Sequence, residues 1–168
     1  MDRIALGLKL LAIALLLFVP VWFLLRDRAP VAARADIVVH APIEQVWRIQ
    51  TDIAGWRRWN PDIQEMRVDG PVGVGTVFVW RAGGITIEST ITEFTPPTQI
   101  VWTGKTFGVN ARHVWRFTAS AEGTAVETEE VFTGPLPWLL PGTLRAQLDK
   151  ALRHGVDVLK REAERSRS

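Results

Sequence analysis

The chain holds 168 residues, 47% of them hydrophobic and 23% charged, with no cysteine and a formal charge of +2. That is room for one ordinary domain plus an appendage, and too apolar a composition for a disordered chain; the lack of cysteine excludes a disulfide framework, a Cys-ligated zinc site and a thiol nucleophile. Five of the 20 Lys and Arg and two of the 18 Asp and Glu fall in residues 1–35, leaving 15 and 16 in the larger part, so no basic stripe is present to release counterions from phosphates and nucleic acid is not an expected partner.

Ile4 to Leu25 reads IALGLKLLAIALLLFVPVWFLL, 22 residues broken only by Lys9. A helix needs about 20 apolar residues to cross the hydrocarbon core. Lys9 can snorkel, Pro20 kinks such a helix without forbidding a span, and Trp22 lies where an interfacial aromatic belongs. The competing reading is a cleaved signal peptide, with Arg3 and Lys9 as a basic start and Ala33-Arg34-Ala35 resembling a cleavage site. The apolar run is long and the site distant for that, so a retained single-pass membrane anchor is expected. The positive-inside rule leans the domain toward the cytoplasm. Residues 26–35 (RDRAPVAARA) read as a charged Ala/Pro linker within residues 1–35, and a single domain is expected over 36–168.

Asp36 to His40 is a short β-branched run that predicts a strand. Ile43, Val46, Trp47 and Gln50 then follow at helical spacing, with Pro42 and Glu44 suited to the first turn. Residues 52–61 (DIAGWRRWNP) predict a second short helix ending in a turn, with Trp56 and Trp59 able to share a face. From Glu65 the period changes to two, with turn signals at 70–75, 82–84, 95–98, 105–111 and 121–123.

A two-residue loop at Gly83-Gly84 pairs Trp80 with Ile87, Phe78 with Ser89 and Thr76 with Ile91, an inward apolar face. A turn over residues 121–124 pairs Phe117 with Thr128, Trp115 with Glu130 and His113 with Phe132, and sets Arg116 against Glu129 on the solvated face. Ile100, Trp102 and Gly104 of the intervening strand join the inward side. After the proline-interrupted run Gly134 to Gly142 (GPLPWLLPG), a helical pattern from Thr143 toward Arg165 carries a stripe of Leu144, Leu148, Leu152, Gly155 and Leu159. A ladder of alternating charge from Arg145 to Arg161 lies on another face. Gly155 within that helix costs up to about 1 kcal/mol relative to Ala, which points to close approach to the sheet or to a slot for something else.

This order gives an α+β domain, a curved antiparallel sheet of about six to seven strands wrapped around a long C-terminal helix, with two short helices after the first strand. The segments DIVVHAPIEQVWRIQTDIAGWRRWNPDI, GPVGVGTVFVW, HVWRF and TAVETEEVFTGPL, with the terminal helix, resemble the SRPBCC superfamily, in particular its polyketide cyclase/dehydrase-like members, over about residues 36–165. The resemblance implies the helix-grip fold of START-like domains, with a hydrophobic cavity between sheet and helix. It also implies that residues 56–61 pack near the cavity entrance. It carries no shared catalytic signature, because such families include enzymes, carriers and regulatory partners.

By phasing, the cavity-facing candidates are Phe78, Trp80, Ile87, Trp102, His113, Trp115, Phe117, Thr128 and Glu130, opposed by Leu148, Leu152 and Leu159. Aromatics with a few polar groups suit an apolar ligand bearing one or two hydrogen-bonding groups; the alternative is that they simply fill the core. The small residues Ser89 and Gly104 on the same face leave space. An inward carboxylate is costly unless protonated or paired, so Glu130 is the most informative polar position. His113 is its candidate partner in general acid–base chemistry, and exposure at the rim or a pair with Arg112 is the bland alternative.

His40, His113 and His154 lack metal-ligand spacing, and no cofactor is expected. Gly70 to Gly75 lacks the G-K-[ST] of a phosphate loop, and no G-x-S-x-G elbow occurs. Pro135 to Pro141 could dip into a membrane, gate the cavity or pack on its own domain. Three functions remain open: a membrane-anchored domain binding a small hydrophobic ligand, lipid or polyketide/isoprenoid-like; a cyclase/dehydrase-type enzyme using Glu130 and His113; and an interaction domain with a filled core.

Overall fold

A computed structural model of the chain describes residues 30–165 together with Gly7. The chain divides into two units, Met1–Pro30 and Val31–Ser168. The expected anchor at residues 4–25 lies, Gly7 apart, outside the described residues, among which no helix is long and apolar enough to cross a membrane.

The second unit opens with β1 (Val31–Val39), then α1 (Ile43–Thr51) and a 3-10 helix (Ile53–Arg58). Six strands follow: β2 (Ile63–Val68), β3 (Val77–Ala82), β4 (Ile85–Thr95), β5 (Gln99–Thr106), β6 (Val109–Ser120) and β7 (Gly123–Thr133). A short helix α2 (Pro135–Leu139) leads into the long helix α3 (Pro141–Arg165). The seven strands form one antiparallel sheet in the order β1-β7-β6-β5-β4-β3-β2.

The 25 residues of α3 run about 37 Å and pack against β1, β7 and α1. Leu148, Leu152, Val156, Leu159 and Ala163 are buried in one core with Phe78, Ile91, Ile100, Trp102, Trp115, Phe117 and Val126 of the sheet. This is the helix-grip arrangement expected from the order of elements, with the apolar stripe and the inward sheet face where the two periodicities put them.

Three local readings need correction. The strand β1 starts at Val31 rather than Asp36, because residues 31–35 of the expected linker pair with 128–132 of β7, and Val31 and Ala35 are buried. The β6–β7 hairpin turns on two residues, Ala121 and Glu122, not four. Its register therefore slips by two, to His113↔Glu130, Trp115↔Thr128 and Phe117↔Val126. Gly123 closes that tight turn at φ +135, where a Cβ would press on the carbonyl of Val39. A slip of two leaves every side chain on its expected face and changes only its neighbour. Lastly, the long helix begins at Pro141 rather than Thr143, and Pro135 begins the single turn and a half of α2 before it. The β3–β4 hairpin has the expected register, with positive φ at both Gly83 and Gly84 as a two-residue loop of this hand requires.

Candidate functional site

Between the sheet and α3 lies a cavity of about 170 Å³. Its walls come from the end of α1 (Gln50), the 3-10 segment (Trp56, Trp59, Asn60), the paired ends of β2 and β3 (Ile63, Trp80, Ala82), the middle of the sheet (Trp102, His113, Trp115, Glu130) and α3 (Ala151, Leu152, Gly155). Asp62 also lines it and lies 3.5 Å from the His154 ring, joining the approach to β2 to α3.

Local sequence explains these positions. The Trp56 indole donates to the carbonyl of Gln50 at 2.9 Å, which ties the 3-10 helix to the end of α1 and stands the ring edge-on to Phe78 and Trp80 and tilted against Trp102. Trp80 donates to the Ser89 hydroxyl at 3.1 Å. His113 is gripped between two indoles, 4.6 Å from the Trp102 ring and 5.6 Å from that of Trp115.

The shorter hairpin turn sets Glu130 directly opposite His113, with Nδ1 3.5 Å from Oε1 and both side chains largely buried. On the other side of the ring, Nε2 lies 2.8 Å from the Thr128 hydroxyl, which is itself 3.1 Å from the carbonyl of Val114. That hydroxyl has one proton, which serves either the Val114 carbonyl or Nε2 according to the ring's tautomer. With the ring proton on Nδ1 the neutral imidazole donates to Glu130 and Nε2 accepts from Thr128; with it on Nε2 the ring donates to Thr128 and Nδ1 faces the carboxylate. The wall thus holds a proton donor and acceptor side by side. Arg112 points elsewhere and binds Glu93 at 3.0 Å, which removes it as the partner of Glu130.

Two further polar atoms are buried without a partner: Oε1 of Gln50 and Nε1 of Trp115. Both residues line the cavity. Unpaired buried groups of this kind cost about 1–3 kcal/mol each, and such a cost is tolerated where a water or a ligand supplies the missing bond.

Of the residues expected at the cavity, Trp80, Trp102, His113, Trp115, Glu130 and Leu152 line it. Phe78, Phe117, Thr128 and Leu148 are buried behind that wall, and Ile87 packs beside Gly104. Ser89 and Gly104 leave no free space, because the Trp80 indole bonds to one and the Ile87 side chain occupies the ground above the other. Gln50, Ile63, Ala82 and Ala151 belong to the site without having been foreseen there. The helical spacing had put Gln50 on the inner face of α1, which was the available signal. Among the described residues, no three His, Cys, Asp or Glu side chains converge as a metal site would require.

A seven-stranded antiparallel sheet gripping a long C-terminal helix around an aromatic cavity defines the START-like, helix-grip class of domain. The family described as "Polyketide cyclase / dehydrase and lipid transport" matches residues 30–164, and the chain belongs to it. Solved structures share the fold. DynU16, from the dynemicin biosynthetic locus, is 23% identical with a TM-score of 0.65 over 80% of this chain, which spans about half, 47%, of DynU16. A START superfamily protein from Mycobacterium smegmatis is 15% identical, with a TM-score of 0.70, covering 82% of this chain and 99% of that one. The Zhui aromatase/cyclase from Streptomyces sp. R1128 is 18% identical, with a TM-score of 0.69, covering 83% and 97%. No curated protein matches the chain in sequence.

Proposed function

We propose that this domain binds a small, largely apolar ligand, about one ring in size and carrying a hydrogen-bonding group, in the cavity beneath α3. Residues 4–25 hold it at a membrane. The carrying observation is the lining itself: five of the chain's eight tryptophans surround a space in which Gln50 and Trp115 each keep a polar atom without a partner. A cavity of about 150 Å³ holds a benzene ring, so 170 Å³ suits one ring or a short branch. A longer lipid, polyketide or isoprenoid would enter by one end only.

With five indoles in the wall, occupancy should be visible in the protein's own fluorescence. Full-length chain in lipid nanodiscs, titrated with phenol, indole and geraniol, is expected to show saturable quenching by at least one of the three, with benzene weaker than phenol. Absence of saturable change with all three would overturn the ligand-binding reading and favour an interaction domain.

The buried His113–Glu130 pair favours a second reading, in which the bound molecule is also turned over by proton transfer. Glu130→Gln keeps the shape of the wall and removes the acid. Any conversion of a co-purified ligand, followed by mass spectrometry, should then fall at least 100-fold while binding stays within about threefold. Equal turnover in both proteins would eliminate Glu130 from the chemistry.

A further inference from the structure

Five large hydrophobic side chains stand exposed on the described domain: Phe107 at 92%, Leu139 at 69%, Val74 at 68%, Ile85 at 53% and Leu140 at 49%. Four of them share one end of the sheet. Continuing the β4–β5 register beyond Glu88↔Lys105 brings Ile85 level with Gly108, next to Phe107 in the β5–β6 turn. The amide of Leu136 donates to the Gly108 carbonyl at 3.1 Å and that of Leu140 to the Leu136 carbonyl at 3.0 Å, so α2 and the residue after it abut the same turn. Val74, between β2 and β3, lies at the opposite end of the sheet.

The chain enters the domain at that same end. Val31 pairs with Phe132, one residue before β7 finishes and the chain passes into α2. Only residues 26–30 separate Val31 from the 22-residue apolar run ending at Leu25, and six residue steps of extended chain reach at most about 20 Å.

We propose that this end of the domain is a membrane-contact surface, in which Ile85, Phe107, Leu139 and Leu140 rest in the interfacial layer of the bilayer. The inference depends on the reading of residues 4–25 as an anchor. Scattered apolar side chains are ordinary on a protein surface, whereas a cluster on the tips of two turns and a helix marks a contact site. The partner is a lipid bilayer because the short tether leaves this end within reach of one. The wall residue Ala82 immediately precedes the Gly83-Gly84 turn, three residues from Ile85, so the cavity and this surface share an element.

The absence of cysteine makes the test direct. Full-length Phe107→Cys, Leu139→Cys and Val74→Cys variants carry a nitrobenzoxadiazole label and are reconstituted into vesicles of phosphatidylcholine and phosphatidylglycerol, with or without nitroxide-bearing lipid. Labels at 107 and 139 are expected to lose more than half their fluorescence to the nitroxide lipid, and the label at 74 to lose little. Three equally unquenched labels on chain that resists alkaline carbonate would overturn the surface while leaving the anchor intact. A label at 107 shielded from aqueous iodide yet unreached by the lipid quencher would mean that a second protein copy covers it, and would also overturn the proposal. Chain stripped from the vesicles by carbonate would overturn anchor and surface together.

Discussion

Glu164 fastens the last turn of α3 to the end of β1. Its carboxylate accepts from the backbone amide of His40 at 2.9 Å and lies 3.3 Å from the ammonium of Lys160. The amide bond is the main cause that holds this carboxyl below its ordinary 4.5; Lys160 helps and partial burial opposes. A carboxyl with a folded value below its unfolded one contributes stability that is complete above about pH 4.5 and is lost as the pH falls through the folded value. Glu164→Gln should therefore cost about 1 kcal/mol in urea unfolding at pH 7, and the difference from the parent should close as the solution is acidified. A gap that stayed constant with pH would mean that the charge is not what matters there. On the outer face, Arg116 binds Glu127 at 2.8 Å and Arg34 binds the same carboxylate. Arg116 and Glu127 lie beside Val114, which is almost fully buried on that side of the sheet, so the long polar side chains there also exclude water from apolar surface.

At the scale of elements, Gly155 is the clearest departure from what α3 would choose for itself. It has no positive φ, and a Cβ built there would meet only the Trp115 ring at 3.8–3.9 Å, an ordinary contact. Close approach to the sheet is thus not its reason, and its place on the cavity wall is. Gly155→Ala should raise helix stability by about 0.5–1 kcal/mol and shift the urea midpoint upward. Gly155→Leu should fill the space and weaken phenol or indole binding at least tenfold. Unchanged binding in the leucine variant would move the ligand away from α3. The grip of sheet on helix has a second support at Phe117, which stands edge-on to Trp47 of α1 at 5.7 Å and stacks near Trp115 at 6.4 Å.

For the whole molecule, that junction predicts strong cooperativity. Phe117 is buried where α1, the middle of the sheet and the core meet, so Phe117→Ala should cost about 3–5 kcal/mol and lower the single unfolding transition as a unit, seen by fluorescence and far-ultraviolet dichroism alike. Two separated transitions would show that helix and sheet unfold independently. The same architecture makes the start of the domain sensitive to truncation. A chain cut at Asp36 would lack Val31–Ala35, half of an edge strand whose partner β7 carries Glu130.

The order of elements, the inward sheet face, the stripe on α3 and the Gly83-Gly84 hairpin follow from local rules, because side-chain periods of 2 and 3.6 and the φ demands of a two-residue loop act over a few residues. The family resemblance was legible for the same reason. The aromatic wall was half legible: Trp80, Trp102, His113, Trp115, Glu130 and Leu152 could be phased onto it, but strand period alone cannot say how far along a face the empty space extends, and so Phe78 and Phe117 were counted with them. The residue opposite His113 depended on whether a turn used two residues or four, and at Gly123, which closes it, a Cβ would collide with the end of β1, far away in sequence. Likewise Val31–Ala35 has no periodicity that marks a strand and becomes one only because the edge of β7 is there to pair with it. The unpartnered atoms of Gln50 and Trp115, and the gathering of Ile85, Phe107, Leu139 and Leu140 at one end, exist only once distant segments are folded together, since burial and adjacency are properties of the assembled sheet and helix rather than of any segment alone.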